Sequence, residues 1–338
     1  MSEGAVTVLV ELTEEKGIEP VSRECLAMAG KIAGACGTKL AAVVMGNAIG
    51  DAAGEVSRYD IDTVYTLDHP LLECYESELY EAAFLQFYTI ARPCGILMGH
   101  TLLSIDLAPR IAFALGTSLV TDCTGFEYGA EGLCFIKPVY SGNIYASLLI
   151  RGEPFMATIR LKSEEPALPS QKRHVEIVRV PVELDRTGAA IEVLERVVGE
   201  NRGADLQSAD IVVAGGRGIG SAEGFELLKN LAGMLGGAVG ASRPPCDLGW
   251  VSPAIQVGQT GGIVSPSVYI AVGISGSMQH IAGMAGAKTV VAVNKDPAAT
   301  IFKIADYGVV GDFREVMPAF TGAIRDRRKG GTTQGNRT

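Results

Sequence analysis

Between Ala241 and Pro297 the chain alternates short β-branched runs with clusters of glycine, serine and other small polar residues, and few architectures accept that pattern. Val268-Tyr269-Ile270-Ala271-Val272 and Thr289-Val290-Val291-Ala292-Val293 read as strands buried on both faces. Beside them stand Ser242-Arg243, Gln256-Val257-Gly258-Gln259-Thr260-Gly261 and Gly273-Ile274-Ser275-Gly276-Ser277-Met278-Gln279-His280. Strands that end in Gly/Ser turns and open into helices bring backbone N–H groups and hydroxyls to one edge of an open sheet. That edge is where phosphate-bearing ligands bind in α/β folds.

A chain of 338 residues has room for two ordinary domains. With 47% hydrophobic residues and 42 glycines it is a turn-rich globular protein rather than a disordered one. The net charge of -9, with one short basic cluster at Arg325-Asp326-Arg327-Arg328-Lys329, sets nucleic-acid binding aside. The opening MSEGAVTVLVEL runs into a strand pattern without a basic n-region, and no apolar run is long enough to span a bilayer. A cytoplasmic protein is expected. Seven scattered cysteines without a CxxC pair point to reduced thiols and to no metal or iron–sulfur site.

Taken in order, the first half alternates strand and helix. Strands are predicted at 6–11, 40–45, 63–67 and 95–99, and helices at 20–35, 76–92 and 105–115. Val21, Cys25, Met28 and Ile32 recur near a helical period in the first of these helices. This succession implies a parallel sheet covered on both faces. Four strand-like runs follow, at 119–128, 133–138, 144–150 and 154–160, and predict an antiparallel meander on the sheet edge. Residues 162–205, with prolines, mixed charge and one strand-like piece at 175–180, read as the crossing between domains. The expected organisation is an N-terminal α/β domain over 1–205, a second α/β domain over 206–326, and a flexible tail over 327–338. Each domain is expected to hold a mainly parallel sheet with flanking helices.

In the second domain, Asp210–Ala214 runs into Gly215-Gly216-Arg217-Gly218-Ile219-Gly220, before a helix expected at 222–235. The spacing is not a clean G-x-G-x-x-G, so a phosphate turn and a plain tight turn both remain open. Ser242-Arg243-Pro244-Pro245 makes a stiff loop expected to hold a buried guanidinium, with no acid flanking it before Asp247. Ser277, His280 and Met284 share a helical face, so His280 is expected to point toward a ligand. His100 and His174 read as structural donors, Asp122-Cys123 as a sheet edge, and Met278, Met284 and Met317 as core. Asn294-Lys295-Asp296-Pro297 suits a strand-ending turn and is compatible with a ribose contact.

The segments VAGGRGIG, GASRPP, QVGQTG, YIAVGISGSMQH, VAVNKDP and IFKIADYGVVGD, in this order across 211–320, resemble the α subunit of the electron transfer flavoproteins. DLAPR at 106–110, TDCTG at 121–125 and PVYSGN at 138–143 agree more loosely. The resemblance implies an FAD-binding second domain of Rossmann-like type, related to deoxyhypusine-synthase-like folds, and a β subunit as partner. It implies Arg217 near the FAD pyrophosphate, and Ser242 and Arg243 beside the flavin. Val257, Gly258, Gln259 and Thr260 would line the ribityl chain and ring, with the Thr260 hydroxyl near N5. Ser275, Gly276, Ser277, Met278, Gln279 and His280 would serve the pyrophosphate and the pyrimidine edge. Asn294, Asp312 and Phe313 would serve the adenosine end.

Those roles suit the chemistry. A flavin that gains an electron without a proton concentrates negative charge over N1, O2 and N5, where donors and a fixed positive charge stabilise it. Arg243, which keeps its proton, and Thr260, Ser275 and His280 are the expected tuning residues. The resemblance implies an electron carrier rather than a stand-alone enzyme. Its implied partners are a flavin dehydrogenase, such as an acyl-CoA dehydrogenase of fatty-acid β-oxidation, and a quinone reductase; a bifurcating system would use NADH and ferredoxin. The alternative is an NAD-binding enzyme on a similar domain, and no catalytic lysine or hydride-site motif supports it.

Overall fold

The computed structural model describes residues 4–140, 142, 144–170, 175–186, 191–195, 206 and 208–331. The chain forms two compact units, residues 1–198 and 199–338. His174, Ser141 and Asn143 lie outside the described residues, as do 201–205, beside the expected boundary at Leu206.

The first unit opens with β1 (Val6–Val10), α1 (Pro20–Cys36), β2 (Leu40–Gly46), α2 (Gly50–Val56), β3 (Thr63–Asp68), α3 (Ser77–Ala91), β4 (Gly95–Gly99) and α4 (Leu102–Leu115). β1, β2 and β4 are buried at every position, as strands covered on both faces must be. Pro20 starts α1, where a missing N–H costs nothing, and Gly37 ends it in the left-handed conformation at φ 67°. Val21, Cys25, Met28 and Ile32 face one side of the sheet, together with Ala52, Ala53 and Val56 of α2. Phe84 and Phe87 of α3 and Leu107 and Ile111 of α4 cover the other.

Next come β5 (Leu119–Cys123), β6 (Gly125–Gly129), β7 (Gly132–Val139), β8 (Ile144–Leu149), β9 (Phe155–Ile159) and β10 (Glu176–Arg179). The sheet order is β10-β3-β2-β1-β4-β9-β5, with every pairing parallel. This corrects the expected four-strand meander. Only β6-β7-β8 form an antiparallel sheet, while β5 and β9 extend the parallel one. The run expected over 119–128 breaks because Asp122 takes φ 62° at a register shift, where Arg160 binds its carboxylate at 2.6 Å and 2.8 Å. That kink carries the chain from one sheet to the other. The strand-like piece read as part of a crossing is β10, an edge strand paired with β3.

The second unit contains β11 (Ile211–Gly215), α5 (Phe225–Leu235), β12 (Ala238–Ala241), α6 (Arg243–Asp247), β13 (Val268–Val272), α7 (Met278–Met284), β14 (Thr289–Asn294), β15 (Tyr307–Val310) and α8 (Phe313–Gly331). Its sheet runs β12-β11-β13-β14-β15, wholly parallel. α5 and α8 pack on one face through Phe225, Leu228, Leu231, Phe313 and Met317. The other face buries Val257, Val264, Tyr269, Met284 and Ile301. α5 begins three residues later than expected, because Arg217–Ile219 forms a 3₁₀ turn and Gly220 adopts φ 85°. α8 continues through Gly331, into the stretch expected to be tail, and 332–338 lie outside the described residues.

Candidate cofactor site

The strand order of the second unit reverses direction between β11 and β13, and a crevice opens beyond the carboxyl ends of strands at such a switch point. Its floor is backbone. A Cβ on Gly216 would stand 2.2 Å from the Gly273 carbonyl oxygen, and one on Gly218 2.9 Å from Gly273 Cα. The Gly218 N–H donates to the Gly273 carbonyl at 3.0 Å, with Gly273 itself at φ 62°. Only residues without Cβ let the two strand-end turns touch in this way.

A cavity of about 710 Å³ stands over that floor. Arg217, Ser242, Arg243, Val257, Gly258, Gln259, Thr260, Ser275, Ser277, Gln279, His280 and Asn294, all expected site residues, line it. The lining sets Arg217, Arg243 and Lys295 against Asp247 and Asp296, and Arg217 and Lys295 have no carboxylate partner among the described residues, so the wall carries a small net positive charge. Ser242 and Ser277 stand at the N-caps of α6 and α7, yet their side chains make no capping bond. Gln256 Nε2 donates to Thr260 Oγ1 at 3.0 Å, which leaves the Thr260 O–H to donate elsewhere. Asn294 Nδ2 donates to the Ile274 carbonyl at 2.9 Å and its Oδ1 accepts from the Asp296 N–H at 3.0 Å, which fixes the end of β14.

Four expected site residues lie outside this lining. Gly276 is buried at φ 85°, where a Cβ would meet the Ile301 nitrogen at 2.4 Å. Met278 was expected in the core as well as in the site, and is 64% exposed on α7. Asp312 accepts from the Arg314 N–H at 2.8 Å at the start of α8, and Phe313 is packed in the core with Ile219 and Phe225. A core role explains Phe313 because α8 presents it, with Met317, to the sheet.

Two further expectations need correction. Arg243 is not a buried guanidinium without an acid: its side chain is 66% exposed, and Nε donates to Asp247 Oδ2 at 3.1 Å. The Ser-Arg-Pro-Pro stretch forms the first turn of α6, and i,i+4 spacing brings Asp247 onto the same face. His280 is buried with both ring nitrogens engaged by protein, Nδ1 with the Val257 carbonyl and Nε2 with the Tyr269 hydroxyl, each at 3.0 Å. Burial pushes its pKa down to about 4, against a smaller upward pull from the Val257 hydrogen bond, so the ring is neutral near pH 7. Of the three residues expected on one face of α7, His280 and Met284 share it and turn inward, while Ser277 stands exposed at the N-cap. His100 hydrogen-bonds Thr158 at 2.9 Å and has its pKa lowered by burial, as a structural residue would.

Sequence reasoning passed over Gly218, Gly273, Gln256, Asp247 and Lys295 in the lining. Asp247 was legible from its spacing to Arg243, and Gly273 from its place at a strand end. Gln256 stood in the polar cluster 256–261, but its bond to Thr260 depends on the turn that returns Thr260 to it. No group of three His, Cys, Asp or Glu side chains is placed to hold a metal ion among the described residues. No described helix is long and apolar enough to cross a membrane.

Fold and site together define a two-unit α/β protein whose second unit is built to hold a phosphate-bearing cofactor at a sheet switch point. Residues 205–285 match the electron transfer flavoprotein FAD-binding domain, and residues 6–185 match the electron transfer flavoprotein domain. The chain belongs to the electron transfer flavoprotein family, in its α-subunit branch, and the cofactor of its second unit is FAD. It is 39% identical to the electron transfer flavoprotein subunit alpha of Thermoanaerobacterium thermosaccharolyticum, over 90% of this chain and 93% of that one. The corresponding protein of Bacillus subtilis is 37% identical over 94% and 96%. Protein FixB of Azotobacter vinelandii is 40% identical over 95% and 91%.

Proposed function

We propose that this chain pairs with a β subunit and carries electrons, through FAD held in its second unit, from a flavin dehydrogenase to a quinone reductase. The observation that carries this reading is the lining of the cavity. It offers cations, hydroxyls and backbone donors, while its one histidine is buried with both nitrogens bonded. A histidine already bonded on both sides, in a lining of cations, hydroxyls and backbone donors, suits a site that holds a redox group for others to reach. FAD supplies the reversible electron uptake. Arg217 and Lys295 would balance the phosphates, and Thr260 would donate toward the flavin. Arg243, with Asp247 beside it, would set the charge near the ring. The seven free cysteines agree with a reducing, cytoplasmic setting.

The test is co-expression with the β subunit, followed by counting of FAD and AMP and by reduction with acyl-CoA dehydrogenase and its substrate. Bound FAD reduced at a catalytic rate and reoxidised by a quinone reductase supports the proposal. A colourless protein that takes up NAD would replace it with a dehydrogenase reading. Ferredoxin reduction coupled to NADH oxidation would place the chain among bifurcating carriers.

A further inference from the structure

Tyr269 lies on β13, the central strand of the second sheet, fully buried among Val212, Ala214, Val257, Val290 and Ala292. A phenylalanine would fill the same apolar space, so the hydroxyl needs its own explanation. Burial pushes the phenol pKa up, so the hydroxyl keeps its proton. An unpartnered hydroxyl there would be costly. Its partner is His280 Nε2 at 3.0 Å, and His280 Nδ1 lies 3.0 Å from the Val257 carbonyl.

Chemistry fixes the direction of this chain of bonds. A carbonyl oxygen only accepts, so Nδ1 carries the proton. A neutral imidazole protonated at Nδ1 only accepts at Nε2, so the tyrosine donates. Val257 begins the turn that closes from Gln256 to Gly262, and that turn forms one wall of the cavity. The same turn is docked on α7 a second time, through the Gln259 N–H and the Gln279 carbonyl at 2.8 Å. Gly258 and Gly283 bring the two backbones together there, since a Cβ on Gly283 would stand 2.3 Å from the Gly258 nitrogen.

We propose that Tyr269 is a positioning residue, which through His280 locks the 256–262 turn against the sheet and so sets the wall on which the flavin rests. The consequence for the cofactor rests on the FAD reading above; the relay itself does not. Tyr269 touches no cavity surface and acts only through His280.

The experiment uses the full chain and Tyr269→Phe, with ¹⁵N spectra of the His280 ring and amide hydrogen exchange resolved over 256–262. The parent is expected to show a neutral ring protonated at Nδ1, with Nε2 shifted by an incoming donor. In Tyr269→Phe the Nε2 signal moves toward that of an unbonded accepting nitrogen. Exchange over 256–262 quickens about three- to tenfold, the range expected for one buried hydrogen bond. The FAD dissociation constant rises by a similar factor. His280→Gln can accept with its carbonyl and donate with its amide, and so keeps exchange slow, whereas His280→Ala does not. Unchanged His280 resonances together with unchanged exchange in Tyr269→Phe would overturn the proposal, as would equal losses in the Gln and Ala variants. If Tyr269→Phe fails to fold, the His280 pair decides alone. If the parent takes up no FAD, the flavin reading fails, while the ring spectra and the exchange rates still decide the relay.

Discussion

Both units of this chain are parallel sheets whose strand order reverses beside their first strand, between β1 and β4 in one and between β11 and β13 in the other. The two switch points are dressed in opposite ways. The residue just beyond β11 is Gly216, whose missing side chain leaves backbone on backbone and an open crevice of about 710 Å³ walled by arginines, a lysine and hydroxyls, with Asp247 and Asp296 among them. The residue just beyond β1 is Glu11. Its carboxylate accepts from Thr101 Oγ1 at 2.8 Å and Ser104 Oγ at 2.9 Å, at the start of α4. A smaller cavity of about 440 Å³ there is also lined by Glu14, Glu19 and Glu73, with Lys16 paired to Glu73 at 3.3 Å. The first unit thus fills with its own carboxyl group the place that the second leaves open for a ligand.

The largest expected effect comes from closing the floor of the second unit. In Gly216→Ala the new methyl meets a carbonyl oxygen that cannot move without shifting β13, so a loss of about 3 kcal/mol is expected, with loss of FAD. In Gly99→Ala, at the matching end of β4, the methyl meets only the Val21 side chain, at 2.6 Å. That change should cost about 1–2 kcal/mol and leave FAD bound. Hydrogen exchange resolved by unit, with flavin absorbance, reads both. Equal losses in the two variants would break the contrast between an open and a filled crevice.

The next effect is a pH dependence confined to the first unit. Burial raises the pKa of Glu11 from 4.5 to about 7, with the Thr101 and Ser104 hydroxyls pulling the other way. A carboxyl whose pKa is raised on folding stabilises fully below its unfolded value and less as pH climbs through the folded one. Between pH 4.5 and pH 7 the first unit should therefore lose roughly 3 kcal/mol from this group. Glu24 has its pKa raised to about 7, also chiefly by burial, and adds in the same direction. Glu11→Gln should flatten part of the slope, and Glu24→Gln the remainder. In the second unit, buried neutral His280 acts oppositely, with stability lost as pH falls from 6.5 toward 4. A first unit whose stability rises with pH across this window would show that Glu11 is ionised and fully compensated.

A smaller effect concerns the pair Arg243 and Asp247 at the cavity. Hydrogen bonds from a charged donor contribute about 1.5–3 kcal/mol, on the order of 65–130 mV for a one-electron couple. Arg243 is exposed and shares its charge with Asp247, so Arg243→Ala should lower the first flavin potential by less than about 65 mV. Arg243→Lys should recover part of that. Asp247→Asn should shift the potential upward by freeing the guanidinium. Spectroelectrochemical titration reads all three, and an unchanged potential in every variant would remove this pair from redox tuning.

Much of this was legible before the coordinates. The alternation of strands and helices follows from local periodicity, and the glycine-rich turns at 215–220 and 273–280 mark the ends of β11 and β13. Strand neighbours were not legible. β9 lies between β4 and β5 although a three-stranded sheet separates β5 from β9 along the chain. The direction of His280 was not legible either. Helical spacing gives a face, but only the position of Tyr269 on the sheet shows that this face turns inward. Charge partners four residues away, such as Arg243 and Asp247, lay within reach of spacing alone.

The smallest expected effect tests where the cavity ends. Asp312 was expected at the adenosine end of the cofactor, yet it stands outside the lining and its Oδ1 accepts the Arg314 N–H at 2.8 Å. A carboxylate in that position satisfies a first-turn donor of α8 and interacts favourably with the helix dipole. Replacing such a cap by alanine costs about 1 kcal/mol. Phe313 follows it into the core, so fraying of this turn would loosen the α8 face of the second unit alone. Asp312→Ala should therefore lower the melting temperature of the FAD-bound protein slightly, with the flavin potential and the FAD dissociation constant unchanged. Weaker FAD binding at unchanged stability would instead place the carboxylate against the cofactor, and the cationic crevice would then extend past β15 to the start of α8.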